Sequence, residues 1–424
     1  MSVLSIADAR SGARLDGRTV LVRVDFNVPL DGQEITSDRR IVQALPTLRH
    51  LRGRGARLVL MSHLGRPAGK GYEAEFSLAP VATRLSHLLE TKVTLGPKEV
   101  TGDAAVAAAR TLDAGGVLLL ENVRFAAGET IADKASKNPD KVLTPEQQST
   151  LSAFVAGLAE LGDDYVNDAF GTCHRKHASM YGLAEAIRAK GGFAAAGFLV
   201  EKEVRFLHGA VATPERPFVA VLGGAKVSDK LKLIASLLPK VDHLLIGGAM
   251  AYTLLAAKGV RIGKSRVEAD QVDAMKALLA TAGGKILLPS DHVATDDFEN
   301  GLPVSVATES LPDSLLGLDI GPETRARFAE VVGSAKTVVW NGPMGVFERP
   351  VYAAGTRAIA EAMAAATTRG ATTIVGGGDS ATAVEAFELD SAMSHISTGG
   401  GASLEYLEGR RMPPLEVLDP AAPR

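Results

Sequence analysis

Short apolar runs alternate with helical patterns along almost the whole chain. This alternation restricts the fold more than any other feature. Strand candidates fall at 20–24, 58–61, 117–120, 218–222, 243–246, 285–288, 337–340, 372–375 and 394–397. Helical patterns lie between them, as at 41–51 and 78–89. Such alternation signals βαβ units and mostly parallel sheets, an α/β fold class. At 424 residues the chain exceeds what one core usually serves, which predicts two domains. A longer helical pattern over 198–211 reads as their connector, ended by Thr213-Pro214-Glu215-Arg216-Pro217. The polar stretch 126–149 reads as a surface excursion, and the Pro-rich tail after Gly409 as irregular.

Charge and cysteine content narrow the function. A net charge of −3 argues against a general nucleic-acid or polybasic membrane binder, so any anion site must be local. Cys173 is the only cysteine, which excludes an internal disulfide and points to a reducing compartment. Residues Met1 to Arg14 lack the apolar core of a signal peptide, and no window has the run a membrane span needs. The expectation is a cytoplasmic protein with no nucleic-acid or membrane partner.

In the first half, three strand-like runs empty into arginine-bearing turns. They are Met61-Ser62-His63-Leu64-Gly65-Arg66-Pro67, Leu120-Glu121-Asn122-Val123-Arg124-Phe125 and the segment from Tyr165 through Gly171-Thr172-Cys173-His174-Arg175-Lys176-His177. Open α/β sheets bind ligands at the carboxyl ends of parallel strands. Arginine forks suit phosphate and carboxylate oxygens, so a small anion carrying both is the expected ligand. The plainer readings are that Glu121, Asn122 and Asp25 stabilise turns, that His63, His174 and His177 are structural, and that Cys173 is packing.

The second half replaces arginine turns with glycine turns: Gly223-Gly224, Gly247-Gly248, Gly376-Gly377-Gly378-Asp379 and Gly399-Gly400-Gly401. Glycine there lets backbone N–H groups approach an anion, and a helix N-terminus adds partial positive charge. Four such turns suit a polyphosphate. Lys226 and Lys230, spaced as one helical turn, are expected to face it. Asp379 follows three glycines and suits a phosphate-bound Mg²⁺. Against this stand a solvated lysine face, an N-cap aspartate, and a core-plus-turn reading of Trp340 to Glu348. Gly259 to Ser265 is one residue short of a phosphate-binding P-loop, and no G-x-G-x-x-G stands in register with a downstream acid. Those absences weaken the P-loop and nicotinamide-dehydrogenase readings.

Eight motifs together resemble the phosphoglycerate kinase family, in that family's order and over nearly the whole chain. They are Arg23 to Pro29, Ser62 to Pro67, Glu121 to Phe125, Asn167 to Thr172, Leu222 to Val227, Trp340 to Glu348, Gly376 to Asp379 and Ser397 to Ser403. The resemblance implies two Rossmann-like lobes, each a mostly parallel sheet flanked by helices, joined by a long helix and hinge. The implied division is 1–190 for 3-phosphoglycerate or 1,3-bisphosphoglycerate, 191–212 for the interdomain helix and 213–407 for the nucleotide, with the tail 408–424 packing back on the first lobe. The implied reaction is reversible phosphoryl transfer from 1,3-bisphosphoglycerate to ADP, giving 3-phosphoglycerate and ATP with Mg²⁺.

Site roles follow from the resemblance by motif position. Asp25, Asn27 and His63 match contacts to the glycerate hydroxyl and carboxyl. Arg66, Arg124 and Arg175 match the clamp on the non-transferred phosphate. Arg40 matches the arginine reaching the transferring group, with Arg39 beside it as the competing position. Lys226 and Lys230 match lysines on the nucleotide phosphates, Asn341 and Glu348 residues near the nucleotide, and Gly317 and Leu318 the adenine pocket. Gly376, Gly377, Gly378 and Ser380 belong with Asp379, which matches the acid orienting Mg-nucleotide. Gly399 and Gly400 match the loop facing the transferring phosphoryl group. The chain departs from the family pattern at Cys173, Ala178, Ala249, Ser380 and in a loose tail from Arg410 to Leu415. Both attacking oxygens in this chemistry are already anionic, so positioning and charge neutralisation by domain closure are expected to replace a general base. A hinged monomer is the simplest expectation. The competing reading is a non-catalytic nucleotide- or metabolite-binding protein on the same fold.

Overall fold

The computed structural model describes residues 3–9, 15–136 and 142–419. Half of the Met1 to Arg14 segment falls outside these residues, as do the middle of the 126–149 stretch and the end of the tail. The chain divides into two compact units, 1–204 with 411–424 and 205–410. The boundary falls inside one helix, Phe198–Ala212.

In the first unit six strands form one parallel sheet. Their order across it is Val93–Leu95, Val117–Leu119, Arg57–Met61, Thr19–Val24, Asp164–Asp168 and Ala194–Ala196. All six residues of the central strand Thr19–Val24 are buried, as expected for a strand covered on both faces. Helix Arg39–Gly53 presents Ile41, Ala44, Leu45, Leu48 and Leu51 at helical spacing, and these join Val20, Val22 and Val24 in one core. The register sets Arg23 beside Met61 and Asn167. The carboxyl ends of three strands are therefore level, and the turns that follow emerge at the same edge.

The second unit repeats the plan with the order Ile286–Leu287, His243–Ile246, Phe218–Leu222, Thr337–Asn341, Thr372–Gly376 and His395–Ile396, again all parallel. Its core holds the fully buried Trp340 with Phe328, Ile359 and Met363. A separate antiparallel sheet of Val304–Val306, His292–Thr295 and Leu316–Ile320 stands apart from the alternating pattern.

Several expectations need correction. The strands Val93–Leu95 and Ala194–Ala196 and the antiparallel sheet have no counterpart among the strand candidates, whereas Asp164–Asp168 falls on the strand-like run expected before the Gly171 turn. Ala194–Ala196 is three alanines, a helix-favouring run that sheet pairing with Tyr165 to Asn167 overrides. The 126–149 stretch is not simply a surface excursion. It contains Ala127–Glu129, Ile131–Ser136 and the start of helix Pro145–Ala159, and Glu129 is fully buried. The tail is not irregular throughout, because Pro413–Glu416 is a short helix. Leu415 and Leu418 are buried, Leu4 N donates to Leu418 O, and Arg188 Nη1 donates to Val417 O. No helix among the described residues is long and apolar enough to cross a membrane.

Candidate active site

In the first unit the loops after four neighbouring strands carry the basic residues. His63 is buried, and its ring is held well below the usual histidine range, first by burial and then by the charges of Arg23, Arg124, Arg40 and Arg175. Arg40, Arg124 and Arg175 thus come together around His63, with Arg23 beneath. Burial and the Arg23 charge lower even the Arg124 guanidinium to about 10. Such concentration of positive charge is unfavourable without an anion to offset it.

Short polar bonds aim these side chains. Arg40 Nη1 donates to Asp25 Oδ2 at 2.8 Å. Asn27 Oδ1 accepts from Gly65 N at 2.8 Å, and Arg124 Nη1 donates to Gly65 O at 2.7 Å. Arg66 follows directly and is exposed. Arg175 Nη1 donates to Asp133 Oδ2 at 3.4 Å. Glu121 accepts from Ser77 Oγ at 2.6 Å and from Leu78 N at 3.0 Å. Asn122 Nδ2 donates to Leu64 O at 2.7 Å and Phe76 O at 3.1 Å. Glu121 and Asn122 therefore build the loops rather than face a ligand. Cys173 is fully buried, its thiol pKa raised by burial, and its Sγ lies 3.6 Å from Ala169 O, so it packs and does not attack.

In the second unit the four glycine turns follow four strands of one parallel sheet, so their backbones emerge along one edge. Gly223 and Gly377 must be glycine. A Cβ on Gly223 would sit 2.0 Å from Pro343 O. Gly377 has φ +90, and a Cβ there would lie 2.7 Å from Asn341 Nδ2. Asn341 Nδ2 donates to Gly376 O at 2.7 Å, while its Oδ1 accepts from Lys230 Nζ. Burial lowers the Lys230 pKa. Lys226 is exposed. The two lysines are not on one regular helix, because Lys226 lies in irregular chain and Lys230 closes the 3-10 turn Ser228–Lys230 before helix Leu231–Leu237.

Asp379 is not the N-cap of helix Gly378–Ala386. That position is Gly377, and Asp379 stands exposed in the first turn beside the exposed Gly378. Ser380 is fully buried and accepts from Gly342 N at 2.6 Å, tying two loops together. Gly399 N donates to Ser397 Oγ at 3.2 Å, and Gly400 is the N-cap of helix Gly401–Leu407 with φ +51. Gly317 N donates to Ser265 Oγ at 2.9 Å, and Val346 N donates to Leu318 O at 2.9 Å. The second of these bonds sets the Leu316–Ile320 strand against the loop leading to the exposed Glu348. No cluster of three or more His, Cys, Asp or Glu able to hold a bare cation occurs among the described residues.

Sequence reasoning gives Arg23, Glu129 and Ser179 no role, yet they lie directly under the basic cluster. The available signal was a charged residue inside an otherwise apolar central strand, Val20 to Val24.

A guanidinium cluster on one parallel α/β unit and glycine turns with two lysines on another define a protein that handles small, highly charged anions, as phosphotransferases do. A family profile described as "Phosphoglycerate kinase" matches residues 11–410. Curated relatives of that name include one from Lactobacillus johnsonii, 50% identical over 94% of this chain and 96% of its own length. Another, from Chlorobium chlorochromatii, is 48% identical over 95% and 97%. Among solved structures, phosphoglycerate kinase from Coxiella burnetii superposes with a TM-score of 0.84 at 39% identity, covering 98% of this chain and 99% of the other. That from Pyrococcus horikoshii gives 0.80 at 32%, covering 98% of each. The chain belongs to the phosphoglycerate kinase family. It is a kinase of small-molecule substrates with ADP or ATP as its nucleotide, and its reaction is reversible phosphoryl transfer between 1,3-bisphosphoglycerate and ADP.

Proposed function

We propose that the first unit holds the phosphoglycerate and the second the nucleotide, each through the residues assigned above. The observation that carries this reading is the placing of basic side chains at one sheet edge, with Arg40 bonded to Asp25, Asn27 and Arg124 bonded to Gly65 two residues after His63, Arg23 against the His63 ring, and the charges of Arg40, Arg124 and Arg175 all felt by that ring. A cluster of that charge matches a substrate bearing phosphate and carboxylate groups. Asp25 and Asn27 adjoin it, and Arg66 completes the rim. The glycine turns at Gly376, Gly377 and Gly378, with Lys226 and Lys230, provide donors for a polyphosphate, and Gly317, Leu318 and Glu348 border the nucleoside.

Phosphoryl transfer chiefly requires positioning and charge neutralisation. Both nucleophiles are anionic oxygens, so no base is needed. Arg40 and Lys226 offset the charge spreading over the transferring group, with the N–H groups of Gly399 and Gly400. The reacting atoms must come within about 3–3.5 Å, so each unit first loads its substrate and the units then close. Asp379 would hold Mg²⁺. Its exposed carboxylate is not committed to capping its helix, and one carboxylate plus substrate phosphates is a common donor set for this ion. The ion, when bound, would neutralise charge on the nucleotide phosphates. The protein acts as a cytoplasmic monomer.

Hydrogen exchange with single ligands tests the assignment. 3-Phosphoglycerate should protect amides near residues 62–66, 122–125 and 172–176. MgADP should protect those near 223–230 and 376–380. The reversed pattern refutes the assignment. The non-catalytic alternative predicts no ATP formation from 1,3-bisphosphoglycerate and ADP in a coupled assay.

A further inference from the structure

Arg23 is fully buried, and its guanidinium needs partners there. Its Nε donates to Ser179 Oγ at 2.9 Å, its Nη1 to Val24 O, and its Nη2 meets His63 Nδ1 at 3.2 Å. A guanidinium has donors only, so His63 Nδ1 must accept. A neutral His63 ring then carries its proton on Nε2. On the far side, Ser179 Oγ donates to Glu129 Oε1 at 2.7 Å and Ser179 N to Glu129 Oε2 at 2.9 Å. Because the hydroxyl proton is committed to Glu129, the oxygen lone pairs are available to Arg23. His177 Nδ1 also lies 3.6 Å from Glu129 Oε1. Tyr165 Oη donates to Ser179 O at 2.9 Å and pins the serine from behind.

We propose that Glu129, Ser179 and Arg23 form a chain of positioning residues that locks His63 in its Nε2–H tautomer, so that the ring offers the phosphoglycerate a neutral hydrogen-bond donor. The opposite tautomer would present a lone pair to an anionic oxygen and repel it. The cluster already holds several positive charges, so a neutral donor adds a directional bond without adding to their repulsion. The proposal rests on the reading of His63 as a substrate contact. A merely structural role for Glu129, neutralising Arg23, would leave the tautomer indifferent to Ser179.

The test is Ser179→Ala, which keeps the backbone bond to Glu129. Imidazole ¹⁵N shifts should show His63 as Nε2–H in the unaltered protein and as a tautomer mixture in the variant, because Arg23 loses the Nε bond that holds its guanidinium against the ring. The KM for 3-phosphoglycerate should rise about fivefold to tenfold, the loss expected of one well-placed hydrogen bond, with the KM for ATP unchanged. In a His63→Ala background the same substitution should add nothing. An Nδ1–H ring in the unaltered protein overturns the proposal whatever the variant does. So does an unchanged tautomer in Ser179→Ala. If His63→Ala leaves the KM for 3-phosphoglycerate unaltered, the substrate-contact reading falls and takes the proposal with it.

Discussion

Arg40 Nη1 and Asp25 Oδ2 are 2.8 Å apart, joining the first turn of helix Arg39–Gly53 to the loop that leaves the central strand Thr19–Val24. Arg40 is 38% exposed and Asp25 13%, so the pair contributes only about 0–1 kcal/mol to stability. Its consequence is orientation, since a long side chain is held at the edge of the basic cluster. Arg40→Ala should lower kcat by about a thousandfold, with the KM for ADP nearly unchanged and little loss of stability. Steady-state kinetics and thermal unfolding check this. An equal loss from Arg39→Ala alone would transfer the role to that neighbour.

The two lysines of the second unit should separate experimentally. Lys226 is exposed, whereas Lys230 is partly buried and donates to Asn341 Oδ1. Lys226→Ala should reduce kcat by two or more orders of magnitude and leave the melting temperature alone. Lys230→Ala should weaken nucleotide binding and also destabilise by about 1–2 kcal/mol, because a buried acceptor loses its partner. A mild kinetic effect of Lys226→Ala returns that residue to the status of a solvated side chain.

Asp379→Ala should discriminate between the ion and the helix. With Gly377 at the cap, removing the carboxylate forfeits only a first-turn charge interaction, about 0.3–1 kcal/mol. Calorimetry should show weakened MgADP binding, nearly unaltered binding of ADP without the metal, and unaltered binding of 3-phosphoglycerate. Equal weakening of ADP with and without Mg²⁺ counts against the metal role.

Much of this was legible in the chain because local chemistry and global fold agree. Strands such as Phe218–Leu222 and helices such as Ala79–Leu89 carry their own periodicity and flanking glycine or proline signals. The turns bearing Arg66, Arg124 and the diglycines sit where parallel strands must end. What escaped depends on tertiary context. Ala194–Ala196 is a strand only because Asp164–Asp168 offers it a ladder. Glu129 looks like one more surface acid in a polar stretch, and only the folded chain places it under Ser179 and Arg23. The helical-turn spacing of Lys226 and Lys230 misleads because the segment between them is irregular chain and a 3-10 turn.

Asp168 provides a pH test of the first unit. Its carboxyl is fully buried, and its Oδ1 accepts from Leu199 N at 2.9 Å and Val200 N at 3.4 Å at the start of helix Phe198–Ala212. Burial outweighs these bonds and pushes its pKa up to about 7. An unfolded aspartate titrates near about 3.9. Between about pH 4 and about pH 7 the native state therefore retains a proton that the unfolded state has lost, and stability declines as pH rises through this window. Above it both states are ionised, and the penalty stays constant. Asp319 in the second unit, also raised to about 7 by burial, acts with the same sign, so removing Asp168 should erase only part of the slope. Urea unfolding of the unaltered protein and of Asp168→Asn, each near pH 4.5 and near pH 7.5, gives the comparison. The stability lost on raising pH should be smaller in the variant by about 1–3 kcal/mol, and any pH-independent effect of the amide cancels in the difference. Parallel pH dependences in the two proteins would mean that Asp168 is already ionised in the native state across this range, stabilised by the N-terminus of the helix it caps.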